Sequence, residues 1–251
     1  VTGAGRGIGK TIALSFAEQG SLVLVGDINL DEASDTAKIA TDQYKVISQA
    51  YKLDVTNRPE VQRVVDAIFD EYHRIDILVN NAGVSTMARA VDITEEEWDF
   101  NMNVNAKGVF NVSQSVVKRM IEKSIKGKII NIASQAGRQG FPLFAHYCAS
   151  KFAVIGFTQS LALEVGKYGV TVNAICPGFV KTSMQEREIL WEAELRGISP
   201  EDVIKDYIDS IPLGRLQEPQ DVANVTLFLG SSLADYITGA SIEANGGSCM
   251  V

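Results

Sequence analysis

Three residues near the middle of the chain carry a hydroxyl, a phenol and an ammonium at fixed offsets: Ser134, Tyr147 thirteen residues on, and Lys151 four further. If the last two share a helix, the i, i+4 offset stacks them on one face. An ammonium beside a phenol favours the phenolate, because an opposite charge within a few ångströms stabilises the ionised form. A free phenol has a pKa of roughly 10, so Tyr147 needs such help to act as a base near neutrality. It would then take a proton from an alcohol, or give one to a carbonyl oxygen, with Ser134 hydrogen-bonded to the same atom. That chemistry suits hydride transfer at a carbinol carbon. Taken alone, the pair fits equally a half-buried ring beside a solvated amine.

The elements around the triplet must bring such groups together. Val1–Gly9, VTGAGRGIG, ends a strand and opens a helix continued by Ile12, Leu14, Phe16 and Ala17. Its glycines at 3, 5, 7 and 9 allow a tight turn and close approach of a ligand, with the helix N-terminus facing a phosphate. The spacing departs from strict G-x-G-x-x-G. Leu22–Asp27 reads as a buried parallel strand ending in an acid. Asp27 lies twenty residues after Gly7, where a carboxylate grips the adenosine ribose hydroxyls and repels the extra phosphate of NADP. Asp27 also suits a turn or helix N-cap, as does Asp31. Arg6 in the glycine loop would instead serve a 2′-phosphate; the carboxylate opposes that phosphate directly, so the expected cofactor is NAD.

Helix then strand repeats: helix 31–43, strand 46–55, helix 59–72, strand 75–79 running into Asn80-Asn81-Ala82-Gly83, and a long helix 94–123 that bends or breaks. Strand 128–133 delivers Ser134, helix 145–167 carries Tyr147 and Lys151, and strand 170–176 closes on Pro177-Gly178. This alternation predicts one α/β domain over residues 1–251, a doubly wound parallel sheet with helices on both faces and ligands at the carboxyl ends of its strands. The loop signals fall at those ends. The chain opens on VTGAGRG without the start of a first strand, and the expectation is a first strand truncated at the N-terminus.

Composition narrows the classes. With 251 residues, 46% hydrophobic and 22% charged, the chain is an ordinary globular domain. A net charge of -8 argues against nucleic acid or an anionic membrane as partner. His73, His146, Cys148, Cys176 and Cys249 show no metal-ligand spacing, so no metal is expected. Scattered cysteines in odd number fit a reduced, cytoplasmic setting, and no apolar run has membrane-spanning length.

Thr2-Gly3 with Gly7-Ile8-Gly9, Asp54, Asn80-Asn81-Ala82-Gly83, Asn105, Ser134, Tyr147-x-x-x-Lys151 and Pro177-Gly178 with Thr182 stand in the order and spacing of one family. Over essentially its whole length the chain resembles the short-chain dehydrogenase/reductase family, whose domain is a Rossmann-type sheet. The resemblance implies Tyr147 as acid–base, Lys151 lowering its pKa and holding the nicotinamide ribose, Ser134 orienting the substrate oxygen, and Asn105 anchoring a water that links Lys151 to solvent. It implies Gly3, Arg6, Gly7, Ile8 and Gly9 at the pyrophosphate, Asp54 and Val55 at the adenine, and Asn81 at the adenosine ribose, with Ala82 and Gly83 beside it. Pro177, Gly178, Val180 and Thr182 would hold the carboxamide end. Asn80, which opens the Asn80–Gly83 motif, could be purely structural, tying neighbouring strands together.

Within that family, Ser134-Gln135-Ala136-Gly137, PGFVKTSM followed by Trp191, and IPLGR ahead of EPQD are similar to the polyol, sorbitol and butanediol dehydrogenase branch. Gln135 would bond a second substrate hydroxyl or be a loop amide. Residues 181–212 break the strand–helix rhythm and would form a lid of one or two amphipathic helices, placing Met184 and Trp191 over the substrate; a plain surface pair of helices is the other reading. By analogy with relatives, a homotetramer is expected. The expected activity is NAD-dependent dehydrogenation of a polyol or vicinal diol, a small-molecule alcohol/ketone pair. The alternatives are an NADP-dependent ketoreductase of lipid or secondary metabolism and a non-catalytic nucleotide sensor.

Overall fold

In the computed structural model, which describes residues 1–251, six parallel strands alternate with helices. β1 (Val23–Asp27) pairs with β2 (Ser48–Lys52). β3 (Ile77–Asn80), β4 (Lys128–Ile132), β5 (Thr171–Pro177) and β6 (Ser241–Ala244) form a second ladder in that order. Residues Val1–Ala4 lie between the two sets. Gly26 N–H donates to the Val1 carbonyl at 2.9 Å, Ala4 N–H to the Gly26 carbonyl at 3.2 Å, and Thr2 N–H to the Val79 carbonyl at 3.0 Å. The opening residues therefore bridge β1 and β3, and the chain reverses its direction of winding there. Ligands bind at such a reversal in an open α/β sheet.

The strands are short apolar runs because both faces are covered. Val25, Val79, Ile129, Ile130, Val172 and Ile175 are buried, each such side chain contributing about 1.5–3 kcal/mol. On one face pack α1 (Gly7–Glu18), α2 (Leu30–Tyr44) and α9 (Pro219–Gly230). The other carries α3 (Arg58–Tyr72), α5 (Gly108–Glu122) and α6 (Ala145–Val165). No helix is long and apolar enough to cross a membrane.

Two elements differ from the sequence pattern. The predicted strand 46–55 is paired only over Ser48–Lys52, because Asp54 Oδ1 accepts from the N–H and hydroxyl of Thr56 and turns the chain away. The predicted helix 94–123 comprises α4 (Glu95–Asn101), a π-helical stretch Met102–Lys107, and α5. Gly108 opens α5 because an added Cβ would lie 2.6 Å from Val55 Cγ2. The region predicted as a lid holds two helices, α7 (Ser183–Arg196) and α8 (Pro200–Asp209). They share a small core of Ile189, Ala193, Val203, Tyr207, Ile211 and Leu216, and Tyr207 stacks on Phe179 at 4.0 Å between ring centroids. Asn29, not Asp31, caps α2 by accepting from Asp31 N–H and Glu32 N–H.

Candidate active site

A cleft of about 410 Å³ lies at the carboxyl ends of the strands, where Gly3, Asp27, Asp54, Ser134, Tyr147, Lys151 and Thr182 meet. A second cavity of similar size, between β1 and β3, is lined mostly by apolar side chains and carries none of these groups.

The glycine loop sets one end. Gly3 and Gly7 have φ of 61° and 55°, the left-handed region that side chains disfavour. An added Cβ on Gly3 would meet Ala82 Cα at 2.7 Å. α1 begins after Arg6 with no side-chain cap, whereas Asn29, Asn57 and Thr94 cap α2, α3 and α4. Its first N–H groups are thus left for an anion, which fits a dinucleotide pyrophosphate. Gly9 lies under the loop rather than in the cleft: a Cβ there would sit 2.2 Å from the Gly3 carbonyl and 2.4 Å from Asn81 Nδ2. Gly9→Ala is expected to cost about 3 kcal/mol by overpacking, read as a lowered urea midpoint; an unchanged midpoint would contradict this contact.

At the end of β1, Asp27 is buried, with Oδ2 accepting from Gly5 N–H at 2.8 Å and Oδ1 from Asn29 N–H at 3.0 Å. Glu32 stands beside it and pairs with Arg6 at 3.8 Å. Arg6 is thereby engaged by a carboxylate, and Asp27 faces the cleft with Glu32 behind the glycine loop. Asp54 and Val55 line the cleft next to it. Asn81 faces the cleft, but its Nδ2 donates to the Thr2 and Gly3 carbonyls at 3.0 and 2.9 Å. It therefore holds the glycine loop and has no side-chain donor left for a ribose. Asn80 Nδ2 donates to Ser113 Oγ and Asn131 Oδ1, both at 2.8 Å, tying β3 to β4 and α5. Gly178 N–H donates to Gln217 Oε1 at 2.9 Å, and Val180 bridges Gln217, fixing the loop that carries Thr182.

The middle of the cleft holds the reacting groups. Ser134 follows β4, and its Oγ accepts from Ala136 N–H at 3.1 Å. Tyr147 and Lys151 lie one turn apart on α6, the Lys151 ammonium 5.7 Å from the phenol ring centroid. Lys151 Nζ donates to the Ile132 carbonyl at 3.0 Å. The electrostatics differ from the sequence expectation. Burial pushes the Tyr147 phenol above its ordinary value, the nearby Glu188 charge raises it further, and Ser134 pulls it back only in part. Burial lowers Lys151 to about 8. Desolvation outweighs the pairing of phenol and ammonium. Asn105 joins two segments: its Nδ2 donates to the Val84 carbonyl and Ser150 Oγ, both at 2.9 Å, and its Oδ1 accepts from Val84 N–H at 2.8 Å. Both amide hydrogens are used in joining the 83–85 loop to α6, while Oδ1 keeps a second lone pair as an acceptor.

Over the cleft, Met184 on α7 is in place, whereas Trp191 is not among the lining residues and carries the Arg187 guanidinium 5.9 Å from its ring centroid. Gln135 is likewise turned away. The 3₁₀ turn Gln135–Gly137 buries it, and its Oε1 accepts from Ser248 Oγ at 2.5 Å. The sequence reading missed Glu188, which lines the cleft one turn after Met184 and accepts from the buried Ser85 hydroxyl. Burial raises its carboxyl to about 7. The helical spacing from Met184 was the available signal.

The sequence model of a family described as Enoyl-(Acyl carrier protein) reductase matches residues 3–248. A 3-oxoacyl-(acyl-carrier-protein) reductase of Thermotoga maritima is 41% identical over 98% of this chain and 95% of that protein. A galactitol 2-dehydrogenase of Agrobacterium fabrum is 40% identical over 100% and 96%. The crystal structure of a sorbitol-6-phosphate 2-dehydrogenase from Erwinia amylovora superposes with a TM-score of 0.96 at 35% identity, over 100% of this chain and 98% of that one. With a glycine loop at the reversal of a parallel sheet and a phenol, hydroxyl and ammonium converging beside it, the chain belongs to the short-chain dehydrogenase/reductase family, oxidoreductases that bind a nicotinamide cofactor and act on an alcohol/ketone pair.

Proposed function

We propose that this protein is an NAD-dependent dehydrogenase of a polyol or vicinal diol. The observation that carries the cofactor assignment is Asp27, a buried carboxylate at the ribose end of the cleft with Glu32 beside it. The Asp27 carboxylate accepts ribose hydroxyls and opposes a 2′-phosphate, and Glu32 adds negative charge nearby. The alcohol class is supported by the similarity to the galactitol 2-dehydrogenase and by the polar groups Ser134, Tyr147 and Glu188 that line the cleft under α7. A 3-oxoacyl reductase is the second reading, favoured by the Thermotoga maritima relative; the Asp27 carboxylate stands against its NADP-dependent form.

The chain's own groups divide the work. Gly3, Arg6, Gly7 and Ile8 hold the pyrophosphate, Asp27 the adenosine ribose, Asp54 and Val55 the adenine, and Lys151 the nicotinamide ribose. Pro177, Gly178, Val180 and Thr182 hold the carboxamide end. Bound NAD supplies the hydride acceptor and a cationic ring whose charge favours the phenolate. Ser134 donates a hydrogen bond to the substrate oxygen. Tyr147 takes the hydroxyl proton as the hydride leaves the carbinol carbon, giving a ketone and NADH; the reverse reaction returns both. Asn105 positions α6 and the 83–85 loop. Initial rates of NADH formation on sorbitol, galactitol, xylitol and the butanediol stereoisomers test the reading. Turnover of one of these alcohols is expected; silence across the panel with reduction of a 3-oxoacyl thioester would overturn it.

A homotetramer is part of the reading. α6 exposes Phe152 and Leu163, 46% and 87% accessible, on the face away from the sheet, and apolar residues on both faces of a helix fit a second covered side. Leu163→Arg is expected to convert a tetramer to a smaller species in light scattering; a wild-type monomer, or an unchanged tetramer in the variant, would contradict the assignment. Cys148, Cys176 and Cys249 are buried and unpaired, in keeping with a cytoplasmic location.

A further inference from the structure

Glu188 stands on the substrate side of the cleft, and no step of hydride transfer uses it. Its carboxylate reaches inward from α7 and accepts a hydrogen bond from Ser85, a buried hydroxyl just beyond the Asn80–Gly83 loop. The lid and the floor are thus joined across the cleft by one side-chain contact. Glu188 lies close enough to Tyr147 for its charge to act on the phenol, so it borders the space where the reacting carbinol must sit. Of the other charged groups lining the cleft, Arg6, Asp27 and Asp54 belong to the dinucleotide end, and Lys151 lies beneath Tyr147, bonded to Ile132. Arg187 precedes Glu188 by one residue, about 100° around α7; it reaches the cleft only from its exposed side and lays its guanidinium toward Trp191. The side chain directed into the substrate space is therefore acidic, with an acceptor oxygen pair and a neighbouring hydroxyl.

We propose that Glu188, held by Ser85, selects the substrate: it accepts a hydrogen bond from a hydroxyl next to the one that reacts, and it excludes anionic substrates, phosphate monoesters among them. The inference rests on the alcohol dehydrogenase reading and narrows its substrate class to neutral, polyhydroxylated alcohols. A carboxylate is an acceptor only, so it rewards a donor-rich substrate, and a second negative charge brought beside it is repelled. The same argument separates this chain's chemistry from that named for the Erwinia amylovora protein, whose substrate carries a phosphate.

The test compares sorbitol with sorbitol 6-phosphate in the wild type, Glu188→Gln, Ser85→Ala and Arg187→Met. At pH 8.5, above the value of about 7 to which burial raises Glu188, the carboxylate is charged. Each enzyme is assayed for NADH formation, and binding of both ligands to the NADH complex is followed by cofactor fluorescence. In the wild type, the neutral polyol is expected to bind at least roughly tenfold better than its phosphate ester. Glu188→Gln is expected to raise KM for sorbitol several-fold with a smaller change in kcat, and to improve binding of the ester, so that the preference shrinks by roughly tenfold or more. Ser85→Ala moves the ratio the same way to a lesser extent. A purely structural role for Glu188 would weaken both ligands alike and leave the ratio fixed, which overturns the proposal. Preference for the ester in the wild type, lost in Arg187→Met, overturns it as well and assigns phosphate recognition to Arg187. Turnover of neither ligand, with binding still selective in the wild type and not in Glu188→Gln, would sink the dehydrogenase reading and leave the charge selection standing.

Discussion

Tyr147→Phe is expected to lower kcat for alcohol oxidation by about 10²- to 10⁴-fold while NADH still binds with little change. The loss corresponds to roughly 3–5 kcal/mol of transition-state stabilisation at 1.36 kcal/mol per decade. The phenylalanine ring keeps the contact with Phe144, 5.6 Å between centroids, and lacks only the oxygen, so folding should survive. Because burial holds the wild-type phenol above its ordinary value, it is mainly protonated near neutrality. Alcohol oxidation needs the ionised form, so its rate should rise with pH through the alkaline range; carbonyl reduction needs the protonated form, which prevails below the raised value, and should stay nearly level there. Steady-state rates between pH 6 and 10 in both directions check the sign. Retained turnover in Tyr147→Phe, or a profile of the opposite slope, would contradict the assignment.

Asp27→Asn is expected to have the second large effect, a fall of about ten- to a hundredfold in the preference for NAD over NADP, since a like charge beside the 2′-phosphate costs several kcal/mol. Asparagine keeps one oxygen to accept from Gly5 or Asn29 N–H, so the end of β1 should hold. The change should appear mainly as improved kcat/KM for NADP. Glu32 remains nearby and Arg6 stays paired with it, so a full reversal is not expected from this substitution alone. A ratio that does not move would remove Asp27 from cofactor selection.

The sheet and the placement of its loop ends were legible because parallel strands buried on both faces read as apolar runs, and helices between them carry their own period. Asp27, Asp54, Ser134 and the Tyr147/Lys151 pair each stand at a strand end or on one helical face, which local pattern reveals. Gln135 could not be read this way. Its partner Ser248 lies 113 residues away, and only the folded C-terminal segment shows that the amide is occupied. Asn81 and Asn105 are similar cases, their amide N–H groups taken by partners in other segments. The direction of the Tyr147 shift was also hidden, because sequence shows the ammonium but not the depth of burial that outweighs it. On α7 the register was readable in part: Met184 lies in the cleft, and one turn on stands Glu188, whereas the larger Trp191 drew attention to the neighbouring face.

The central claim is that a hydride passes directly between NAD and the carbinol carbon of a polyol. Its most direct test is to supply sorbitol or galactitol deuterated at every carbon, with unlabelled NAD, and to analyse the reduced cofactor by mass spectrometry. The account predicts one deuterium in each NADH formed, none with Tyr147→Phe beyond its residual rate, and little reaction when NADP replaces NAD. Unlabelled NADH, or reduction of NADP in preference to NAD, would contradict it.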